Sequence, residues 1–525
     1  MQAWQALSPQ VREMLTVYAA TVVPMGIVFM LRRASWTQFL SLPLTAAITA
    51  LAIAALWSVL RNYVFPVEAL ERYSSLLYAT FLMLFVLLST LTGVAMTGTR
   101  FKSRITRGTQ ILSRAASAQR LRRASRRGVI TLAGVEVEAR DETKHFKLVG
   151  TTGTGKSTAI HEILRTALAR GDRAIIADPD DGYLSRFYDA AAGDLILNPF
   201  DARSRRWDLF AEIEQLYDCE QLARALVPDS TGEDRSWRDY ARTLVTATAK
   251  QLWELRARDR SVVRVEELHR LIERAPLEEL RILLANTAAH SFLERGNERM
   301  FGSIRSVASQ SIASLEYIGR QSEGAAPLSV RQWVRGEQPG ARALFLPYSA
   351  GQRAALGSII SAWMRIAIFE TMSATERDQR LWFVVDELDA LGPIDGLKDA
   401  LARLRKFGGR CVLGFQSIAQ VSDTYGPGEA HTIVENCGNT LILRCSASEQ
   451  GGTALFASKL IGEREVIRPL ESRSRRPGQW QYARTFSDHQ MTEAAVLPSE
   501  IEQLPDLTGY VKLASAPSWY QVTLR

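Results

Sequence analysis

The sequence predicts an α/β domain built on a largely parallel sheet, interrupted by an inserted all-α domain and preceded by N-terminal transmembrane helices. Long uncharged apolar runs fill most of the first hundred residues. Beyond them, short apolar runs typical of buried strands alternate with helix-length segments, as in a parallel sheet covered on both faces. Between residues 203 and 322 this alternation stops, and helical patterns take its place.

The amino-terminal region, residues 1–99, contains three apolar runs without a charged residue. Residues 39–60 and 74–96 are 22 and 23 residues long, and a spanning helix needs about 20 apolar residues. Residues 15–31 are shorter and contain Pro24, so they form either a third span or an interfacial helix. A buried core helix is the alternative for such runs, but a soluble helix of this length usually has a polar face.

The net charge of +8 is concentrated in one segment. Residues 100–128 contain ten Lys and Arg and no Asp or Glu, so the rest of the chain carries −2. We expect this segment to be a juxtamembrane linker lying along anionic lipid headgroups, with nucleic-acid binding as the alternative. Because cationic residues favour the cytoplasmic side of spans, Arg32, Arg33 and this segment predict that the remainder of the chain is cytoplasmic.

The composition, 46% apolar and 23% charged, is that of a globular rather than a disordered chain. The four cysteines are Cys219, Cys411, Cys437 and Cys445. They contain no CxxC pair, so they indicate neither a zinc site nor a disulfide framework. We interpret them as reduced thiols of a cytoplasmic domain.

A phosphate-binding motif follows the strand-like run 146–150. It comprises Gly150, Thr151, Thr152, Gly153, Thr154, Gly155, Lys156 and Ser157, and Thr158 follows it. Helical periodicity over residues 160–168 completes the strand, loop and helix that this GxxxxGK[ST] motif requires. Its glycines let backbone N–H groups surround phosphates. Lys156 is expected to reach the β- and γ-phosphates of ATP, and Ser157 to bind Mg²⁺.

A second apolar run, residues 381–385, ends in the paired acids Asp386 and Glu387. On its own the pair could simply cap the next helix. Together with the upstream phosphate motif, it predicts that Asp386 completes the Mg²⁺ shell. Glu387 would then act as the general base that activates the attacking water.

Three further polar residues follow predicted elements. Gln416 ends the run 411–415, where RecA-like motors can place a γ-phosphate sensor, although an ordinary loop amide is the alternative. Arg405 lies at the end of an amphipathic helix; a cationic last turn is favourable in itself, and an arginine offered to a neighbour's γ-phosphate would come from the same place. Asp178 is either an acid near the metal or a turn residue.

Predicted strands lie at residues 146–150, 173–177, 342–346, 381–385, 411–415 and 440–444, with further strands after residue 504. They assign residues 129–202 and 323–525 to the sheet domain and residues 203–322 to the all-α domain. Cationic and aromatic residues near the insertion could bind single-stranded DNA, but they are equally compatible with solvated helix faces. They are Arg203, Arg205, Arg206, Trp207, Arg235, Trp237 and Arg238.

Longer segments resemble a known family. LVGTTGTGKST, ILNPFDARSRRWDLF, the block from LWFVVDE to GFQSIAQ, and ENCGNTLILRCSASEQ resemble the coupling ATPases of conjugative type IV secretion, the TraD/TraG class, and especially its TrwB-like members. The resemblance covers roughly residues 130–525 in order. It implies a RecA-like nucleotide-binding domain with an inserted all-α domain, six copies in a ring, and nucleotides bound between neighbours.

The implied protein is a multi-pass ATPase of the bacterial inner membrane with a cytoplasmic motor. It would link relaxase-bound, single-stranded DNA to the secretion channel and drive DNA translocation with ATP and Mg²⁺. Lys156 and Ser157 match the family's phosphate loop, Asp386 and Glu387 its acidic motif, and Gln416 its sensor. Arg405 sits where the family has an arginine near the γ-phosphate.

Two departures from the family pattern are present. Members usually have two spans, which puts the role of residues 15–31 in doubt, and the long acidic tail of some relatives is missing. The alternatives are an FtsK- or HerA-like chromosomal translocase, and an ATPase that couples protein-only export. A long linker and a C-terminal winged-helix module, which an FtsK-type protein would have, are not found. A receptor without hydrolysis is disfavoured by the intact Lys156, Asp386 and Glu387.

Overall fold

The structure, a computed structural model, describes residues 8–31, 36–63, 83, 86–94, 104–113, 128–229, 235–258, 264–321, 324–337, 342–373, 379–449, 451–474 and 483–524. These residues divide into two compact units. The first contains Met1–Arg104 and Ile467–Gln490, and the second contains Ile105–Val466 and Met491–Arg525.

The strands, in chain order, are β1 (Arg104–Gly108), β2 (Ile111–Leu112), β3 (Thr131–Leu132), β4 (Val135–Glu136), β5 (Phe146–Val149), β6 (Arg173–Pro179), β7 (Leu195–Ile196), β8 (Arg206–Trp207), β9 (Pro327–Leu328), β10 (Ala343–Tyr348), β11 (Leu381–Val385), β12 (Gly409–Phe415), β13 (Asn439–Ile442), β14 (Glu463–Ser474), β15 (Ala483–Ala494), β16 (Thr508–Lys512) and β17 (Trp519–Thr523).

The helices are α1 (Pro9–Leu31), α2 (Trp36–Tyr63), α3 (Ala139–Glu142), α4 (Lys156–Ala169), α5 (Leu184–Phe187), α6 (Leu216–Leu226), α7 (Arg235–Arg258), α8 (Val265–Glu273), α9 (Leu277–Leu283), α10 (Glu298–Ile312), α11 (Leu315–Gly319), α12 (Val330–Arg335), α13 (Arg353–Ser373), α14 (Leu397–Leu404), α15 (Ile418–Tyr425), α16 (Pro427–Asn436), α17 (Gly452–Ile461) and α18 (Pro498–Glu502). Short 3₁₀ turns occupy Leu209–Glu212, Ala288–Leu293 and Arg405–Phe407.

A ten-stranded sheet with the order β2-β17-β16-β13-β5-β12-β11-β6-β10-β7 organises the second unit. The strands from β13 to β7 are parallel to their neighbours, and β16 pairs antiparallel with both β13 and β17. All six strands that the sequence predicted before residue 450 are present in the parallel part. Smaller sheets have the orders β1-β14-β15, β3-β4 and β8-β9.

Both faces of the parallel part are buried. Along β11, Phe383 and Val385 pack into one core, and Trp382 and Val384 pack into the other. Successive strand residues point to opposite faces, so a strand covered on both sides needs a continuous apolar run. This is why β11 could be recognised as an uninterrupted apolar segment. β5 is apolar except for Lys147, whose buried Nζ donates to Val434 O and Cys437 O.

The strand order determines which loops lie next to each other at the edge of the sheet. β12 lies between β5 and β11, with Phe415 opposite Val149 and Leu413 opposite Val385. Because the three strands are parallel, their carboxyl ends lie at one edge of the sheet. The residues that follow β5, β11 and β12 therefore share that edge.

The helical segment α6–α11 leaves and returns to the sheet beside the parallel pair β8 and β9. Trp207, at the end of β8, is 1% exposed. Its Nε1 donates to Glu212 Oε1 at 2.8 Å, and its ring meets Trp363 edge to face. The suggestion that Trp207 stacks on DNA is therefore wrong, because the indole is a core group at the base of the insertion.

Part of the basic segment is folded rather than a free linker. Ile111 and Leu112 of β2 pair with β17 at the end of the large sheet. Thr109 N donates to Glu463 O at 2.9 Å, and the Arg107 guanidinium forms an ion pair with Glu465. The apolar pair 111–112 supplies a strand that the count of positive charges concealed. The rest of the segment, 100–103 and 114–127, lies outside the described residues.

In the first unit, α1 and α2 pack together. The rings of Phe29 and Phe39 meet edge to face at 5.8 Å, and Thr45 Oγ1 donates to Met25 Sδ at 3.6 Å. Many other apolar side chains remain on the surface; Leu40 is 78% exposed and Leu51 is 71% exposed.

Among the described residues, one helix is long and apolar enough to cross a membrane, namely α13. It is 72% buried inside the protein, so it is a core helix. The apolar stretches Leu15–Leu31 and Phe39–Ala52 are shorter than that criterion. Most of the third predicted run, 74–96, lies outside the described residues, which include only 83 and 86–94 of it.

His145, just before β5, is buried in its neutral form. Its ring accepts a hydrogen bond at Nδ1 from Cys411 N at 3.1 Å and donates from Nε2 to Leu401 O at 2.9 Å. A ring that both accepts and donates is uncharged. Burial, helped by the nearby positive charges of Arg405 and Arg410, lowers the pKa of His145 to about 4.

Acidification from pH 7 to pH 5 is therefore expected to destabilise the protein by about 2 kcal/mol through His145. The unfolded chain binds a proton near pH 6.5 and the folded chain only near pH 4, so stability falls as the pH falls between these values. His145→Gln retains a donor and an acceptor without titrating, and should reduce this pH dependence. Thermal unfolding midpoints of both proteins at pH 7 and pH 5 measure the effect. Equal sensitivity of the two would contradict the assignment.

Candidate nucleotide site

The phosphate loop connects β5 to α4. Gly155 adopts a φ of +117° immediately before the first residue of α4, and a Cβ there would lie 2.9 Å from Leu507 Cδ2. This backbone conformation favours glycine, and a side chain at this position would also displace the side chain of Leu507. The free N–H groups at the start of α4 then face the site and favour an anion.

Lys156 is the first residue of α4 and is 7% exposed. Its Nζ donates to Gly150 O at 2.7 Å and to Thr151 O at 3.4 Å. Burial lowers the pKa of Lys156, and the charges of Asp386 and Glu387 oppose this shift. The ammonium group is thus held against the loop by carbonyl groups, beside the two acids.

The acid pair after β11 reaches the same place. Ser157 Oγ donates to Asp386 Oδ2 at 2.7 Å, across 229 positions of sequence. Asp386 is 5% exposed, and its Oδ1 has no hydrogen-bond partner among the described residues. A buried carboxylate with unused acceptor capacity beside a serine hydroxyl suits a hard cation such as Mg²⁺.

Gln416 connects the two halves of the site. Its Nε2 donates to Glu387 Oε1 at 2.9 Å, and its Oε1 accepts from Thr152 Oγ1 at 3.0 Å. The bridge exists because β12, which ends just before Gln416, lies between β5 and β11. Because Gln416 contacts both Thr152 and Glu387, its side chain would sense a ligand bound between the phosphate loop and the acid pair.

A cavity of about 200 Å³ joins these groups. Its lining consists of Thr152, Gly153, Gly155, Lys156, Ser157, Thr158, Asp386, Glu387, Gln416 and Leu507. All of these except Leu507 were named from the sequence. Gly150, Thr151 and Thr154 shape the loop instead, since Thr154 Oγ1 donates to Thr151 O at 2.7 Å and Thr151 N donates to Arg444 O.

Arg405 does not join this constellation. It is exposed in the 3₁₀ turn that precedes β12, whereas Gln416 follows the same strand. The seven residues of β12 span about 20 Å at roughly 3.3 Å per residue. Arg405 therefore lies at the opposite edge of the sheet from its own phosphate loop.

Asp178 lies beside the site, and its hydrogen bonds go to the turn that follows β6. Its carboxylate accepts from Tyr183 N at 2.9 Å and Leu184 N at 2.6 Å, so it caps the turn after β6, which was one of its two predicted roles. Burial raises the pKa of Asp178 to about 7. The Tyr183 hydroxyl donates to Asp386 Oδ2 at 2.6 Å, a contact that the sequence did not signal.

Two other residues were also missed. Gly414 lies inside β12, where a Cβ would come within 2.3 Å of Asp386 O, so glycine allows the two backbones to approach. Leu507 has a φ of +57°, which is unusual for a residue with a branched side chain. Its N donates to Thr154 O at 3.0 Å, and its O accepts from Leu524 N at 2.7 Å.

A glycine-rich strand-loop-helix facing an acid pair two strands away defines a P-loop nucleotide-binding domain. The family model for the type IV secretion-system coupling protein DNA-binding domain matches residues 129–525, and the chain belongs to this family. It is 32% identical over 375 residues to the coupling protein TraD of Escherichia coli K12, covering 71% of this chain and 51% of TraD. The chain therefore spans about half the length of that curated relative.

Solved structures agree with this assignment. The unbound bacterial conjugative coupling protein TrwBdeltaN70 has a TM-score of 0.70 at 34% identity, covering 82% of this chain and 95% of that one. TrwB in complex with ADP and Mg²⁺ has a TM-score of 0.69 at 34% identity, with the same coverage. The fold is accordingly the predicted RecA-like P-loop domain with an inserted all-α domain.

Proposed function

We propose that this chain is an ATP-driven coupling protein that links relaxase-bound DNA to a type IV secretion channel of conjugation and drives DNA translocation. The observation that carries the proposal is the convergence of Lys156, Ser157, Asp386, Glu387 and Gln416 on one cavity at the carboxyl edge of three adjacent strands. The similar protein TrwB has been solved with ADP and Mg²⁺ and with a non-hydrolysable ATP analogue, which supports ATP and Mg²⁺ as ligands here.

The roles follow from the contacts. Ser157 and Asp386, joined at 2.7 Å, would hold Mg²⁺, which supplies positive charge to the phosphate oxygens. Lys156 would leave the loop carbonyls for the β- and γ-phosphates. Glu387 would accept a proton from the attacking water, while its bond to Gln416 fixes the carboxylate. Gln416 would move when a γ-phosphate binds or leaves, and its hydrogen bond with Thr152 would transmit this movement to the phosphate loop.

A ring of six copies is the assembly that gives Arg405 a function. Arg405 does not line its own nucleotide cavity and lies at the opposite edge of the sheet, so a role in hydrolysis would require the nucleotide of a neighbouring copy. An arginine provided in this way would stabilise negative charge in the transition state. The same arrangement would make hydrolysis depend on assembly.

Membrane anchoring is supported by the amino-terminal helices. Their outward apolar side chains, such as Leu40 and Leu51, are mostly exposed, and contiguous exposed apolar surface is typical of groups that meet lipid. With the basic segment on the inside, α1, α2 and the run 74–96 would anchor a cytoplasmic motor to the bacterial inner membrane.

For DNA, the best-placed residues lie at the start of α7. Trp237 and Tyr240 are 37% and 39% exposed and meet edge to face at 6.0 Å. Arg235 and Arg238 lie beside Trp237 in the sequence. They also line a neighbouring cavity of about 860 Å³, whose lining includes five carboxylates as well as five cationic side chains. Aromatic faces beside arginines suit the stacked bases and phosphates of single-stranded DNA. Arg203, by contrast, is paired with Asp201 at 2.7 Å.

Single-stranded DNA is expected to stimulate ATP hydrolysis by the purified protein, and added salt should weaken DNA binding steeply. Trp237→Ala should weaken binding about tenfold, since a stacked base contributes about 1–3 kcal/mol. Tyr217→Ala, which removes an aromatic side chain that is 65% exposed in the same domain, is the control. Fluorescence anisotropy with a labelled oligonucleotide measures both. An active ATPase that neither binds DNA nor responds to it would favour protein-only export.

A further inference from the structure

The hydroxyl of Tyr183 donates to Asp386 Oδ2 at 2.6 Å. The same oxygen accepts from Ser157 Oγ at 2.7 Å. Two donors on one carboxylate oxygen restrict both its position and the rotation of the carboxylate about its bond to Cβ. One of these donors belongs to the phosphate loop and α4, and the other to the turn after β6.

Tyr183 is itself fixed from two sides. Its backbone N donates to both oxygens of Asp178, at 2.9 and 3.1 Å. Its ring is 1% exposed and meets the ring of His161, on α4, edge to face at 4.9 Å. The hydroxyl is therefore delivered to Asp386 by a side chain that has little freedom to move.

The hydroxyl can act only as a donor toward this partner. Asp386 Oδ2 is the acceptor of this hydrogen bond, and the phenol O–H is the donor. An O–H donor holds Oδ2 in place without bringing a positive charge to the carboxylate, and Oδ1 stays without a partner among the described residues. The negative charge of Asp386 thus remains available to a cation.

We propose that Tyr183 is a positioning residue that orients Asp386 toward the magnesium–nucleotide complex. The inference rests on the proposed function, because it concerns the same cavity. Groups that orient a metal ligand typically change metal affinity by about 10–100-fold when removed. The Tyr183 hydroxyl should therefore affect nucleotide binding only when Mg²⁺ takes part.

The test compares binding of a fluorescent ADP, N-methylanthraniloyl-ADP, to the full-length protein with Mg²⁺ and with EDTA. Tyr183→Phe removes the hydroxyl and retains the ring. It should weaken binding about tenfold in Mg²⁺ and leave binding in EDTA unchanged. Tyr188→Phe, a tyrosine five positions further along, should behave like the wild type in both conditions.

Wild-type affinity of Tyr183→Phe in Mg²⁺ would overturn the proposal. An equal loss in Mg²⁺ and in EDTA would also overturn it, because a residue needed only for packing would act in both conditions. Lys156→Ala separates the two levels of the argument. If that variant binds the probe normally, the proposed nucleotide site itself is wrong, whatever the result at Tyr183.

Discussion

Lys156→Ala is expected to lower ATP hydrolysis by roughly 100- to 1000-fold, the usual effect of removing a group that stabilises transition-state charge. The ammonium lies 2.7 Å from Gly150 O, inside the phosphate loop and beside Asp386 and Glu387. Alanine would leave the phosphates without their main cation from the protein. Steady-state phosphate release at saturating ATP measures the loss.

Lys459→Ala is the matched control, because Lys459 is an exposed lysine on α17. It should hydrolyse ATP at the wild-type rate. Lys156→Ala should still extract with membranes, because the proposed anchoring helices α1 and α2 are far from the loop in the sequence. Wild-type turnover by Lys156→Ala would place hydrolysis somewhere other than the cavity between β5 and β11.

Glu387→Gln is expected to lower the rate of hydrolysis by roughly 100- to 10,000-fold, the range attributed to general acid–base catalysis. Glutamine retains an oxygen that can accept the hydrogen bond from Gln416, so the geometry of the bridge at 2.9 Å should persist. It cannot take the proton of the attacking water. Single-turnover hydrolysis with ATP in excess of its dissociation constant measures this step.

The affinity for ATP should change little in Glu387→Gln, so this variant should retain uncleaved ATP. Asp389→Asn removes a carboxylate two positions further along and should remain active. A Glu387→Gln protein that hydrolyses ATP at the wild-type rate would show that another group is the base. Loss of nucleotide binding, rather than of hydrolysis alone, would show that Glu387 is needed to bind the nucleotide and not only to accept the proton of the attacking water.

The parts of the fold that could be predicted from sequence were those with a local signal. β11 is a continuous apolar run and β5 is apolar except for Lys147, because both faces of the sheet are covered, and the polar residues of the site follow each strand at its carboxyl end. The proximity of Ser157 and Asp386 then follows from one rule, that parallel strands present their carboxyl ends at the same edge of the sheet.

What could not be predicted depended on packing between distant segments. Tyr183 and Asp386 are 203 positions apart, and nothing near either residue indicates the contact. Trp207 looked like a candidate for base stacking, because a tryptophan among arginines carries no sign of whether its ring is buried. Strand β2 was not predicted, because it lies in a segment that was interpreted from its positive charge alone. The position of β12 between β5 and β11 was likewise not evident from the motifs alone.

Leu507 connects the carboxyl-terminal strands to the phosphate loop and lines the nucleotide cavity. It joins Thr154 of the phosphate loop to Leu524, just after β17, through backbone hydrogen bonds of 3.0 and 2.7 Å. The backbone of the phosphate loop is thus held in place by a residue some 350 positions further along the chain. A variant truncated before Leu507 would retain the phosphate-loop and acidic motifs but lose both of these hydrogen bonds, so expression boundaries should include residues 507–524.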